Sequence, residues 1–237
     1  MALRIENKAK DKADIWLYGE VGDGWSDCFT AKDVAEELKK LGDVKHLTVH
    51  LNSPGGSVFD GLAIYNTLKK HSAHVTTEID GMALSIASVI ALAGDEVRMA
   101  GNAMYMIHNP WAMAVGDSNE MRKMADRLDI VRGSLLGTYV AKTGETSSME
   151  DILNWMEEET WFTAKQAHEH GFVDEVTDPI EAAAKFDLSR YHFKNVPKVD
   201  AVQKAAMPQD MALRARVARM SMKINKRRLN ANGAQAQ

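Results

Sequence analysis

Between Asp14 and Leu92 the chain passes three times from a short β-like run to a helical one, and this repetition restricts the fold more than any other feature. Asp14 to Val21 (DIWLYGEV) is the first strand candidate. Thr30 then caps a helix whose apolar residues Val34, Leu38 and Leu41 stand four and three apart before Gly42 ends it. His46 to Asn52 is the second strand, running through Ser53-Pro54-Gly55-Gly56 into an amphipathic helix over Val58 to Leu68. The third, His74 to Ile79, breaks at Gly81 and hands over to a small apolar helix from Ser85 to Leu92, closed by Gly94. Strands joined by right-handed helical crossovers pair in parallel, which delivers the three turns to one end of a sheet. The expected class is α/β.

Beyond a strand-like run that ends at His108 the pattern changes. A long helix is expected over Ser118 to Lys142, with Met121, Met124, Leu128, Val131 and Leu135 on one side, and helices of this length often pack against another subunit. A second helix, Ser148 to Glu158, leads to Thr160-Trp161-Phe162-Thr163. Thr163 caps a short helix ending at Gly171, and Phe172 to Val176 is the last strand candidate. Past Pro197 the chain turns alanine-rich and polar, so the expected division is a domain over 1–196 and a linker with one helix over 197–237. Charge divides the same way. From Ala201 onward eight basic residues stand against Asp210 alone, a net +7, which leaves −11 on the preceding residues of a chain whose total is −4. Leu213, Val217, Met220 and Ile224 form an apolar stripe within that basic segment. It is read either as a device for reaching an acidic partner, whether protein or nucleic acid, or as a solubilising tail.

No stretch approaches the roughly 20 apolar residues that span a bilayer. The opening residues, MALRIENKAKDKAD, lack the apolar core of a secretory signal, and the single cysteine, Cys28, has no partner for an internal disulfide, so a cytoplasmic protein is expected. Cys28 follows a turn-like stretch with no base in view and is read as an inert thiol.

The chemistry gathers at the turns. Ser85 sits where a strand-like run meets small helix-forming residues, and a helix N-terminus beside a hydroxyl favours developing negative charge. Gly56 can present its N–H to a ligand with no side chain in the way. His108, at the end of an apolar run, is the candidate base, because a seryl oxygen is a poor nucleophile until a base takes its proton. Glu157, Glu158 and Glu159 are the candidates for an acid that would orient the imidazole, and spacing alone does not choose among them. His168 and His170 are too close in sequence to share one helix face, and no cysteine or acidic cluster completes a metal site, so neither a metal nor a cofactor is expected.

Taken in this order the segments resemble the proteolytic subunit of Clp protease over about Trp16 to Val176. The family's Gly-x-Ala-Ala-Ser-Met-Gly is met by Gly81 to Ala87, with Leu84, Ile86 and Ala87 as departures. Its Met-Ile-His-Gln-Pro is met by Met106 to Pro110 with Asn109 for glutamine, and its Asn-Ser-Pro-Gly-Gly by Asn52 to Gly56 outright. The resemblance implies a crotonase-like spiral of ββα units, ring-shaped oligomers, a helical handle near 118–142, and oxyanion donors at the amides of Gly56 and Ile86. It aligns Glu159 with the family's aspartate. Asp60 to Asn66, His108-Asn109-Pro110-Trp111 and Glu159-Thr160-Trp161 look like the Clp-related head maturation proteases of phages, which trim capsid and scaffold proteins. An early first strand, with little room for the axial loops that meet an ATP-driven unfoldase, points to the same branch. Alternatives are the housekeeping subunit that works with an unfoldase, an inactive assembly ring, and a crotonase-like acyl-CoA enzyme, which would need acidic catalysts in place of Ser85 and His108.

Overall fold

The computed structural model describes residues 2–9, 11–23, 27–180 and 187–197. Two units divide the chain, Met1–Pro197 and Lys198–Gln237, and the basic segment read from the sequence lies outside the described residues. In chain order the elements are β1 (Leu3–Ala9), β2 (Lys12–Tyr18), β3 (Glu20–Val21), β4 (Cys28–Phe29), α1 (Ala31–Leu41), β5 (His46–Ser53), α2 (Val58–Lys69), β6 (His74–Leu84) and α3 (Ile86–Ala91). They continue with β7 (Glu96–Ala100), β8 (Met104–Ile107), α4 (Ser118–Thr143), α5 (Met149–Glu158), β9 (Thr160–Thr163), α6 (Ala164–Glu169) and β10 (Glu175–Thr177).

The main sheet has the order β1-β2-β5-β6-β7-β10. All its neighbours run parallel except the edge pair β1–β2. This is the α/β crossover architecture, and it carries β2, β5 and β6 to the same end. Alternate residues of these strands, Ile15 and Leu17, Val49 and Leu51, Val75 and Ile79, face α1, α2 and α3, and all are buried. Burying each such aliphatic side chain is worth about 1.5–3 kcal/mol, so the helical side of the sheet fixes the register. All of α3 is buried, which explains its small apolar composition.

The helix starts are set by side chains. Thr30 and Asp33 form a capping box on α1. Asp60 accepts from the Ser57 hydroxyl at the start of α2 and from the Ala31 amide at the start of α1, tying the two helices together. A Cβ at Gly61 would lie 2.2 Å from Ile86 Cγ1, so α2 meets α3 at a point where only glycine fits.

One expectation needs correcting. The third strand does not break at Gly81: β6 continues to Leu84, and there it changes partners. Residues Thr76 to Ile79 pair with β7, whereas Met82 to Leu84 pair with β8, which itself pairs antiparallel with β9. Its register against β5 also shifts between Leu51 and Ser53. Gly81 therefore lies within a strand that bends from one set of neighbours to another. The first strand likewise ends at Tyr18 and resumes as β3, and the last is Glu175–Thr177, with Phe172 and Val173 buried ahead of it. The long helix α4 buries Leu135, Tyr139 and Thr143, all in its C-terminal portion.

Candidate active site

Ser85 is the first residue after β6 and the N-cap of α3, with φ 56° and ψ −129°. A side-chain-bearing residue in this region stores roughly 1–3 kcal/mol of strain, which persists only when the surroundings hold it. Here they do. Its amide donates to Met106 O at 3.0 Å, and its carbonyl accepts from the Ser88 amide at 3.0 Å and the Ser88 hydroxyl at 2.5 Å. Because the Ser88 proton is committed to Ser85, Tyr139 must be the donor in the 2.7 Å bond between its hydroxyl and Ser88 Oγ. Tyr105 donates to Ser88 O at 2.9 Å. Burial pushes both tyrosyl hydroxyls up, so they stay protonated donors. A chain of hydroxyls thus runs from α4 to the backbone of Ser85.

His108 follows β8, which β6 pairs alongside its last residues, and this brings Ser85 Oγ to 2.7 Å from His108 Nε2. Burial pushes the imidazole below its ordinary value of 6.5; the charge of Glu159 opposes that shift and Lys194 adds to it. The neutral ring is favoured, and it can accept the seryl proton at Nε2.

The turn after β5 lies against the serine. At Gly55, φ +94°, a Cβ would stand 2.7 Å from Ser85 Cβ, and at Gly56, φ +141°, it would stand 2.2 Å from Val21 O. The bridge between Val21 and Gly56 uses the Gly55 carbonyl and the Ser57 amide, leaving the Gly56 N–H to the other side. Among the described residues no acceptor engages that N–H, nor the Ile86 N–H at the start of α3. A cleft of about 440 Å³ opens here, with Gly56, Ser85 and His108 in its lining.

Of the three glutamates, Glu159 is the buried one, 4% exposed, and holds a left-handed conformation at the end of α5. Among the described residues no hydrogen bond joins it to His108. Its Oε1 instead accepts the amides of Lys194 at 2.7 Å and Asn195 at 2.8 Å, and Trp161 Nε1 at 3.3 Å. Residues 190–193 line the cleft. The sequence reading assigned this stretch no part in the site; the only local signal is a pair of aromatic residues, Tyr191 and Phe193, in a polar stretch.

Two further groups bear on the chemistry. Cys28 is half-buried in β4 and is absent from the lining of the cleft. On the sheet face away from the helices, His50 stacks on Trp16 with ring centroids 5.0 Å apart, and its Nδ1 is 2.9 Å from Asp80 Oδ2. His50, Glu78 and Asp80 bring donor atoms within 4.8 Å of one another, an acidic cluster that sequence reasoning did not see because the acids come from the next strand. Asp80 Oδ2 also takes the Tyr18 hydroxyl at 2.5 Å. Burial lowers the His50 pKa, but the Asp80 hydrogen bond and the charges of Asp80, Glu78 and Asp14 outweigh it and raise the pKa overall.

A strained serine 2.7 Å from an imidazole that burial biases towards its neutral form, beside two amides that no acceptor engages among the described residues, is equipped for acyl transfer from an ester or amide. Fold and site together define a hydrolase of the serine type. Residues 2–179 match the Clp protease family. A relative from Ligilactobacillus salivarius described as an ATP-dependent Clp protease proteolytic subunit is 35% identical over 162 residues, covering 68% of this chain and 80% of its own length. Another with the same description, from Bacteroides fragilis, is 32% identical over 155 residues, covering 63% and 74%. Among solved structures, a ClpP1 mutant from Listeria monocytogenes superposes with a TM-score of 0.61 at 24% identity, covering 70% of this chain and 91% of that one. The chain belongs to the Clp protease family, and it is a serine peptidase. Among the described residues no helix is long and apolar enough to cross a membrane.

Proposed function

We propose that the chain is an endopeptidase in which Ser85 attacks a peptide carbonyl, His108 takes its proton, and the amides of Gly56 and Ile86 receive the oxyanion. The observation that carries this reading is the 2.7 Å approach of Ser85 Oγ to His108 Nε2. Attack forms the Oγ–carbonyl bond as the proton moves to Nε2. Collapse then breaks the C–N bond, and the imidazolium gives that proton to the departing amine. Water enters, loses a proton to Nε2 and hydrolyses the acyl-serine. Glu159 is the acid of this reading, favouring the imidazolium by its charge rather than through a hydrogen bond.

The substrates proposed are capsid and scaffold proteins, cut without an ATP-driven partner by a homo-oligomeric ring in the host cytoplasm. Trp111 beside His108, Trp161 beside Glu159 and the +7 segment beyond Ala201 support this branch, the last as a means of reaching acidic protein or nucleic acid. A second reading, a subunit feeding on chains delivered by an ATP-driven unfoldase, is favoured by the description that the curated relatives carry. Co-expression with the neighbouring capsid and scaffold genes, beside Ser85→Ala, separates them by intact mass. Discrete cuts lost in the variant support head maturation; hydrolysis of folded proteins only with an unfoldase and ATP supports the second reading. Lack of fluorophosphonate labelling at Ser85 would overturn the site assignment. Deleting 197–237 should abolish capsid or scaffold cleavage and spare peptide hydrolysis if the basic segment recruits substrate.

A further inference from the structure

The family match ends at residue 179, yet residues beyond it reach the reacting groups. Phe193 meets the His108 ring with centroids 6.0 Å apart and planes at 67°, an edge contact. The same side chain is fixed from two further sides, by Trp161 at 5.5 Å and 90° and by Tyr191, stacked at 5.6 Å and 18°. His192 packs edge-on to Trp111 at 5.2 Å, and the Tyr191 hydroxyl donates to Glu20 Oε2 at 3.4 Å across the cleft. What holds this segment down is Glu159. Its carboxylate accepts the Lys194 and Asn195 amides, while Asn195 Nδ2 donates to Glu158 O at 2.6 Å. Hydrogen bonds to an ionised acceptor in a buried setting are among the stronger ones a protein makes. The carboxylate expected to hold the imidazole is spent on the strap, and the strap brings an aromatic edge to the imidazole.

We propose that Tyr191 to Asn195 form a third wall of the active site, anchored by Glu159, in which Phe193 is a positioning residue that keeps the His108 imidazole turned towards Ser85. The proposal rests on the Ser85–His108 reading above. Phe193 acts by covering one side of the ring, which limits its rotation and excludes water. Tyr191 and His192 bound the space that a substrate side chain enters, so this chain's preference is set partly by residues that the family match does not include.

The test uses the full chain. Fluorophosphonate labelling of Ser85 and hydrolysis of a fluorogenic peptide are followed against pH for wild type, Phe193→Ala, Phe193→Tyr and Ser85→Ala. Phe193→Ala should lower kcat by about tenfold, within the range that a displaced catalytic group costs, with KM little changed. It should also move the acid limb of both profiles upward, because His108 gains water. Phe193→Tyr, which keeps the ring, should restore rate and limb. A purely structural role would lower the amount of active enzyme without moving the limb. If Phe193→Ala labels and hydrolyses with the wild-type profile while Ser85→Ala is inert, the positioning role is overturned and the catalytic reading survives. If wild type is not labelled, the underlying reading itself has failed. The anchor is read separately by mass mapping of brief trypsin digests. Cutting after Lys194 should quicken in Glu159→Ala and stay slow in Glu159→Gln, which keeps an oxygen for the two amides; equal rates in both variants would overturn the anchor.

Discussion

Replacing Ser88 with alanine tests whether the hydroxyl chain behind Ser85 does what its geometry implies. Ser88 is fully buried; its hydroxyl donates to Ser85 O and accepts from Tyr139, whose side chain is also buried. Ser88→Ala removes one donor to the Ser85 carbonyl, about 1 kcal/mol, and strands the Tyr139 hydroxyl in the core, about 1–3 kcal/mol more. Tyr139→Phe removes the other end. Ser88 can then still donate to Ser85, and no donor is stranded, so the cost is about 1 kcal/mol. In the Tyr139→Phe background, Ser88→Ala should therefore cost only about 1 kcal/mol, giving a coupling of roughly 1–3 kcal/mol between the two positions. Urea midpoints with unchanged slopes measure this at fixed protein concentration. The labelling rate of Ser85 should fall in Ser88→Ala, since the strained φ of the serine loses a support. If the two stability changes add to within about 0.5 kcal/mol, the inferred donor order is wrong.

Three further outcomes follow from the site and the sheet. Gly56→Ala would place a Cβ 2.2 Å from Val21 O, a backbone atom, at φ +141°, and disturb the amide assigned to the oxyanion; the melting temperature should fall and kcat of the folded fraction should drop by about 10²–10³-fold, and a kcat loss under threefold would remove Gly56 from that role. With His108 depressed by burial below 6.5, peptide hydrolysis should rise with pH through a midpoint under that value, and a midpoint above it would show that the imidazole is not held neutral as described. His50 has a raised pKa in the folded state, so it contributes stability that is fully present below its unfolded value of about 6.5 and is lost as pH rises through the higher folded one. Urea midpoints of His50→Gln should lack this decline, and a decline equal to that of wild type would place its origin elsewhere.

Much of this arrangement is legible in residue order. Strand alternation and helix spacing were enough for the crossovers, because the buried face of each strand reads as every second residue: Ile15 and Leu17, Val49 and Leu51. Ser85, His108 and Gly56 announce themselves because each stands at the end of an element where the chain must turn. Gly81 misleads, since a glycine that permits a bend within β6 looks the same in sequence as one that ends a strand. The edge strand β1 was missed because Leu3 and Ile5 alternate with charged residues and lie half-buried, so the run reads as polar. The strap and the His50 cluster were invisible for a common reason. Each depends on a carboxylate meeting a partner 30 or more residues away, Glu159 with Lys194 and Asp80 with His50, and local periodicity carries no information about such a meeting.

The clamp between Glu159 and the amides of residues 194 and 195 has a practical consequence for anyone who trims this gene to the extent of the family match. A fragment ending at Pro179 keeps the serine, the histidine and both glycines of the turn, and by every motif would pass as a whole enzyme. It would nonetheless present a wider mouth, a wetter imidazole and a glutamate with two lost partners. Its kinetics would describe that opened fragment rather than the chain with its strap in place.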